Sequence, residues 1–292
     1  MGNLKDIRIR IASVTSTQKI TGAMKLVSAA KLRRAQMSIL SLRPYSNKLF
    51  EILQNLSSSI ESIENMPLFE TRKPENIVII AITSNRGLCG AFNSNIVKEV
   101  LNTAEARYPE QLKAGKVKLI CLGKKGFEQL RKHFDIIFSN ESLLESPDFS
   151  EIAVVSEKLM NEFIDKKIDK VDIIYNQFIN PATQHIIVED YLPITNIGQS
   201  ESEKISANYI FEPSKDQLLE ELIPKIMKVK LYKTVIDSIA SEHGARMTSM
   251  SKATDNANEI LKELKLKYNN ARQSSITNEL IEIVSGANAL DN

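Results

Sequence analysis

The sequence predicts an α/β protein in which N- and C-terminal helices form a long antiparallel coiled coil around an inserted Rossmann-like α/β domain. Three observations carry that prediction. Apolar residues recur at three-four spacing from Leu4 onward and again along the C-terminal stretch, the pattern of a helix with one buried stripe. Between them lie short β-branched runs that read as buried strands. Helical stretches follow the first two of those runs, and such alternation builds a mostly parallel sheet.

In the N-terminal segment Leu4, Ile7, Ile11 and Val14 keep one face, with Asn3 placed to cap the helix. The same register continues through Gln18, Thr21, Lys25 and Ser28, while Ile20, Met24 and Val27 make a second stripe beside it. No strong breaker comes before Pro44, and the pattern resumes at Leu49, Ile52, Leu53 and Leu56. A kinked helix within residues 1–60 is expected, at ~1.5 Å per residue some ~80 Å long. At the other end Ser214 and Gln217 form a capping box after Pro213. Ala257, Leu261, Leu264, Tyr268 and Ala271 hold heptad spacing, and Ile276, Leu280, Ile283 and Ala287 resume it after a shift. That places the second coiled-coil helix at 213–290, with Pro224 bending it early and Gly244 interrupting it. Helices at opposite chain ends pair antiparallel, because the insert returns the chain. A helical bundle that contains two long helices is the alternative this pattern leaves open.

The insert spans 74–195. Asn76 to Thr83, Val117 to Leu122 and Val171 to Ile179 read as strands. Gln184 to Leu192 follows a turn at Asn180-Pro181-Ala182 too short for a crossover, so it is expected to run antiparallel to the third strand. Residues 196–212 read as a polar loop.

Composition is that of an ordinary soluble chain, with 42% hydrophobic and 25% charged residues among 292. No apolar run approaches the ~20 residues that cross a bilayer. Cys89 and Cys121 are the only cysteines, with no partner at metal-ligand spacing, so neither a zinc site nor a disulfide framework is expected. The start at Met1 runs directly into the helix pattern without signal or transit features. Charge is unevenly placed: residues 1–43 carry nine Lys and Arg against Asp6 alone, an excess of +8 in a chain of net charge +2. An acidic partner surface is drawn to that end.

The glycine-containing turn Thr83 to Asn93 follows the first strand, where α/β folds bind phosphate. It fails both nucleotide patterns. Gly87 and Gly90 lack the third glycine of a dinucleotide loop, and neither this turn nor Gly123-Lys124-Lys125-Gly126 supplies Gly-Lys followed by Ser or Thr. Cys89 near a helix start is the one candidate nucleophile, but His133, His185 and His243 are scattered, and adjacent acids such as Glu189-Asp190 and Glu220-Glu221 fit a solvated surface. No catalytic site, cofactor or metal is expected. The basic first helix offers a nucleic-acid reading, yet residues 1–43 hold no aromatic for base stacking, which favours a protein partner. A nucleotide-binding enzyme built on the central domain is the runner-up, and a coiled-coil scaffold or nucleic-acid binder the third reading.

Several stretches together resemble one family over nearly the whole chain. They are Ile9-Arg10-Ile11-Ala12-Ser13-Val14 with Thr17 to Thr21 and Ala23-Met24, and Asn85-Arg86-Gly87-Leu88-Cys89-Gly90. Near the C-terminus are Ser241 to Met247 with Ala253 to Asn256, and Tyr268 to Gln273 with Ile276-Thr277 and Glu279-Leu280. These are similar to the gamma subunits of F-type ATP synthases. The resemblance implies a non-catalytic rotor shaft, one copy per complex, standing inside a ring of alpha and beta subunits and coupling proton flow to ATP synthesis there. By the same resemblance, Met24, Lys25, Lys31, Arg246, Arg272, Gln273 and Thr277 contact the alpha-beta ring. Residues 196–212 include a foot segment in which Tyr209 and Phe211 face the c-ring, near the epsilon subunit. The implied location is peripheral, on the cytoplasmic face of a bacterial plasma membrane. No regulatory cysteine-pair insertion is present, so redox switching is not expected. The polar and basic interruptions of the first helix are expected to act as a bearing against the ring, because a fully apolar contact would lock.

Overall fold

The computed structural model describes residues 4–57, 66–195 and 215–290. Helix α1 runs Leu4–Ser57 and passes through Pro44 as one element; strand β1 is Ile77–Ile82 and helix α2 is Phe92–Arg107. Then follow α3 (Pro109–Lys113), β2 (Val117–Leu122), α4 (Lys124–Leu130), β3 (Asp135–Asn140), α5 (Ser142–Glu145) and α6 (Phe149–Ile164). Strands β4 (Lys170–Asn180) and β5 (Thr183–Leu192) precede the last helix, α7 (Lys215–Leu290), which contains Pro224. The expected caps at Asn3 and Ser214 and the segment 196–212, with Tyr209 and Phe211, lie outside the described residues.

The chain divides into two compact units, residues 29–246 and a unit built from 1–28 with 247–292, so the cuts fall inside both long helices.

The larger unit is organised by a five-stranded sheet of order β3-β2-β1-β4-β5. Strands β1 to β4 are parallel neighbours and β5 joins β4 antiparallel, as its short connection requires. All six residues of β1 are buried, which is why it reads as an unbroken apolar run; a central strand has both faces covered. Ile77, Ile79 and Ala81 pack with Ile96, Val97, Val100 and Ala104 of α2 and with Leu130 of α4. Side chains alternate along a strand, so Val78, Ile80 and Ile82 point to the opposite face. Helix α6 contributes buried Ile152, Leu159, Met160 and Phe163. Strand β3 is a sheet edge not singled out by the sequence reading, and its residues alternate between exposed and half-buried.

Helix α7 is seated on this unit by specific bonds. Tyr191 of β5 donates from its hydroxyl to the Met227 carbonyl at 3.0 Å, and Lys230 pairs with Glu189 at 2.9 Å. Gly244 lets the helix lie close to the β4–β5 turn, since a Cβ there would meet Pro181 Cα at 3.2 Å. Asp237 Oδ1 accepts from the Phe178 amide at 3.2 Å.

In the smaller unit the two helices run antiparallel. Arg8 bonds Tyr268 at 2.9 Å, Gln18 bonds Asn258 at 3.0 Å, Thr254 bonds Thr21 at 2.8 Å and Lys25 bonds Ser251 at 3.0 Å. Each advance along α1 is matched by an equal retreat along α7. Ala257, Leu261 and Leu264 are buried and Tyr268 and Ala271 half-buried, so the heptad spacing marks the seam. Thr21 and Ser28 are buried too, at 9% and 3% exposure, while Ile20 and Val27 stand 57% and 58% exposed. This corrects the bearing expectation at Thr21 and Ser28: those polar residues face the companion helix, while Ile20 and Val27 of the second stripe face outward and Met24 is half-buried.

Candidate functional site

The first place to look is the crevice beyond the carboxyl end of β1, because its neighbours β2 and β4 lie on either side of it and were reached by opposite crossovers. A phosphate there would need free amides at a helix start. At α4 those amides are taken. Lys124 N donates to Asn85 Oδ1 at 3.1 Å, Lys125 N to the Ser84 carbonyl at 3.0 Å and Gly126 N to Thr83 Oγ1 at 2.9 Å. Glycine is required for this fit: a Cβ on Gly123 would lie 2.6 Å from the Thr83 carbonyl oxygen, and one on Gly126 would lie 2.7 Å from Thr83 Oγ1. The turn after β1 is likewise closed on itself, with Ser84 N donating to Asn93 Oδ1 at 2.9 Å and the Asn85 side-chain Nδ2 donating to the Glu141 carbonyl at 2.7 Å.

Cys89 lies inside this turn, 2% exposed, beside Phe92 and Ala245. Burial pushes its thiol up, against the hydrogen bond with Ser84 and the charge of Arg246. A nucleophile needs the opposite shift, toward thiolate. Cys121 is pushed up to about 12, again by burial. Among the described residues no group of three or more His, Cys, Asp or Glu side chains could hold a metal ion. No described helix is long and apolar enough to cross a membrane.

The strongest constellation in the larger unit is ionic. Arg246 of α7 is 7% exposed. Its Nη2 donates to the Arg86 carbonyl at 2.8 Å and its Nε to the Gly87 carbonyl at 3.2 Å, while Nη1 pairs with Glu242 at 2.5 Å. A planar guanidinium has the fork geometry to serve three acceptors at once. His243 Nδ1 lies 3.3 Å from Nη1. Burial first, then the charges of Arg246 and Lys31, lower His243 to about 4, so the ring is neutral at physiological pH. Burial raises Glu242, opposed by Arg246 and Lys31. The turn held by this clamp presents Leu88 at 61% exposure with a left-handed φ of 63°, a conformation a branched side chain adopts only at a cost of about 1–2 kcal/mol.

The residues expected to contact partners therefore fall into distinct settings. Lys25, Lys31, Arg272, Gln273 and Thr277 are exposed, and Met24 is half-buried. Lys25 also donates from Nζ to Ser251 Oγ at 3.0 Å. Arg246 differs in kind, since its guanidinium is engaged wholly within the chain. Sequence reading did not pick out Glu242 or the carbonyls of Arg86 and Gly87. The signal available was an acid and an arginine four apart within the C-terminal helix pattern, spacing that puts both on one helix face.

Comparison with known proteins fits this geometry. The profile of the family described as ATP synthase matches residues 3–290. The ATP synthase gamma chain of Flavobacterium psychrophilum is 48% identical over 290 residues, 99% of each chain, and that of Christiangramia forsetii is 47% identical over 291 residues, the whole of both. Among solved structures, a chain of the Euglena gracilis mitochondrial ATP synthase (OSCP/F1/c-ring, rotational state 3) superposes with TM-score 0.67 at 20% identity, covering 99% of this chain and 95% of that one. A chain from the central stalk and c-ring of the Tetrahymena thermophila mitochondrial enzyme gives 0.58 at 24% identity, covering 80% and 99%. These two likenesses speak to fold, and the full-length relatives near 48% identity speak to descent: the chain belongs to the ATP synthase gamma chain family.

Proposed function

We propose that the chain is the rotating central shaft of an F-type ATP synthase, coupling proton flow through a membrane c-ring to ATP synthesis in a ring of alpha and beta subunits. The observation that carries this reading is the match, over the full length of both chains, with relatives named ATP synthase gamma chain. The antiparallel pairing of residues 4–28 with the end of α7 supports it, because a shaft must be a stiff two-helix element.

Its action is one of linkage. A lopsided shaft touches three equivalent catalytic subunits differently, so its angle alters their nucleotide affinities wherever those contacts differ in energy. The coupling is reciprocal: nucleotide turnover biases the angle, and rotation of the foot biases the sites toward release. The exposed cations Lys25 and Lys31 and the exposed polar group Arg272, Gln273 and Thr277 supply contacts to the alpha-beta ring, with Met24 between them. Arg246 serves that contact from inside, by fixing the turn at Arg86 and Gly87. Tyr209 and Phe211 meet the c-ring beside the epsilon subunit, with one copy of the chain per complex on the cytoplasmic face of a bacterial plasma membrane.

The chain carries no catalytic site of its own in this reading, which the occupied amides at α4 and the raised Cys89 thiol support. The competing reading, a nucleotide enzyme on the central domain, requires micromolar ATP or NAD binding to the isolated chain by calorimetry. The decisive experiment mixes the chain with alpha and beta subunits. One copy is expected to join a six-subunit ring and confer ATPase activity; failure to enter the ring refutes the shaft.

A further inference from the structure

Asp172 of β4 is fully buried, at 0% exposure, and sits opposite Asp190 of β5 in the strand register. One side-chain oxygen is provided for: Tyr108 donates to Oδ2 at 2.7 Å, with Arg107 Nη1 3.5 Å away. The other, Oδ1, is buried and receives no donor from the described residues. An orphaned buried acceptor is costly, and the residue opposite it in the strand register carries a second carboxyl, that of Asp190. Two carboxylates can bond only if one is protonated.

We infer that the carboxyl groups of Asp172 and Asp190 hold one proton between them and form a pH-sensitive tie joining β4 to β5. The surroundings dictate which one keeps it. Asp190 accepts from Arg107 at 3.2 Å and Lys170 at 3.1 Å and is 40% exposed, so its charge is solvated and paired. Asp172 has only the phenol and a distant guanidinium. From α7, Lys230 Nζ donates to the Asp190 carbonyl at 3.0 Å and pairs with Glu189, so its charge is spent beside the tie. On the other side, β1 presents Ile79 opposite Asp172 and brings no charge.

Titration agrees with the geometry. Burial pushes Asp172 up to about 6, against the Tyr108 bond and the Lys170 charge, with Asp190 adding to the rise. Asp190 is held low despite burial, by Lys170, Asp172 and Arg107. The pair titrates as a unit. Because the raised group is an acid, the folded state binds the proton more tightly, and stability falls as pH rises from the unfolded value of ~3.9 through about 6. On the acid side one hydrogen bond spans the strands; on the alkaline side two like charges face each other. Since β5 also holds α7 through Tyr191 and Lys230, the protonation state is passed to the seat of that helix.

The test uses the full chain, comparing hydrogen exchange over residues 183–192 at about pH 5 and about pH 8, corrected for intrinsic rate, with infrared detection of the protonated carboxyl. Protection in β5 is expected to drop by up to about tenfold toward the higher pH, and the carboxylic acid band to vanish through the same range. Asp172→Asn should remove both changes. Asp190→Asn, which offers Asp172 an amide donor, should move the midpoint down. A pH profile identical in wild type and Asp172→Asn, no acid band at the lower pH, or an unmoved midpoint in Asp190→Asn would each overturn the shared proton.

Discussion

Arg246 Nε donates to the carbonyl of Gly87 at 3.2 Å, across 159 residues of sequence. The bond ties the last helix to the first turn of the sheet, and it depends on a charge that is itself buried. Glu242 is the only carboxylate within salt-bridge distance of it among the described residues. The stability of this junction therefore rests on both partners being present.

Replacing Arg246 with Met strands Glu242, takes this donor from the Gly87 carbonyl and leaves the Arg86 carbonyl to Ser84 Oγ at 2.7 Å. A loss of about 3–5 kcal/mol is expected, the usual penalty for breaking a buried ion pair. Replacing the pair together, with Glu242→Gln and Arg246→Met, should recover a large part of it. Denaturant unfolding of the four proteins in a double-mutant cycle reads the coupling, and strict additivity would show that no clamp exists.

His243 gives an acid limb to the stability curve. Its folded value, about 4, lies below the ~6.5 of an unfolded histidine, so the unfolded chain takes up the proton first. Stability is intact above ~6.5 and is lost as pH falls toward 4, by up to about 3 kcal/mol. His243→Asn should flatten that limb. An unchanged limb by thermal unfolding would mean that the ring is already charged in the fold.

The two glycines at α4 should respond differently to one methyl group. In Gly123→Ala the added carbon meets the Thr83 backbone oxygen at 2.6 Å, on a residue whose φ is 111°, so both strain and clash persist whatever Thr83 becomes. In Gly126→Ala the clash is with the Thr83 side chain, at 2.7 Å. Adding Thr83→Ala should rescue Gly126→Ala in part and leave Gly123→Ala at least about 2 kcal/mol destabilised. Equal rescue of both would be inconsistent with these distances.

Leucine at Gln18, Thr21 and Ser28 tests the seam of the smaller unit. Thr21 and Ser28 are too buried to accept a larger side chain without parting the helices, at a cost of about 1–3 kcal/mol each. Assembled complexes carrying the triple variant should hydrolyse ATP more slowly than wild type. Unchanged turnover would show that helix spacing is irrelevant to rotation.

Strands β1, β2, β4 and β5 were legible in the sequence because each is an apolar run bounded by turns, and the heptads of α7 because Ala257, Leu261 and Leu264 repeat on one face. Strand β3 was missed: Asp135–Asn140 lies at the sheet edge, where half of its residues meet solvent and no long apolar run survives. The exposed contact residues came from resemblance rather than pattern. The Arg246 clamp was opaque for a different reason. Its distant partners are backbone carbonyls, which carry no residue-type signature, and only the fold brings them near.

Ile276, Leu280, Ile281, Ile283 and Val284 stand between 49% and 66% exposed along the end of α7. So many large aliphatic groups on one short stretch make a copy without partners adhesive. Such a copy is a ready client for chaperones and proteases, so its abundance in the cell should follow the supply of subunits that cover that surface rather than its own rate of synthesis.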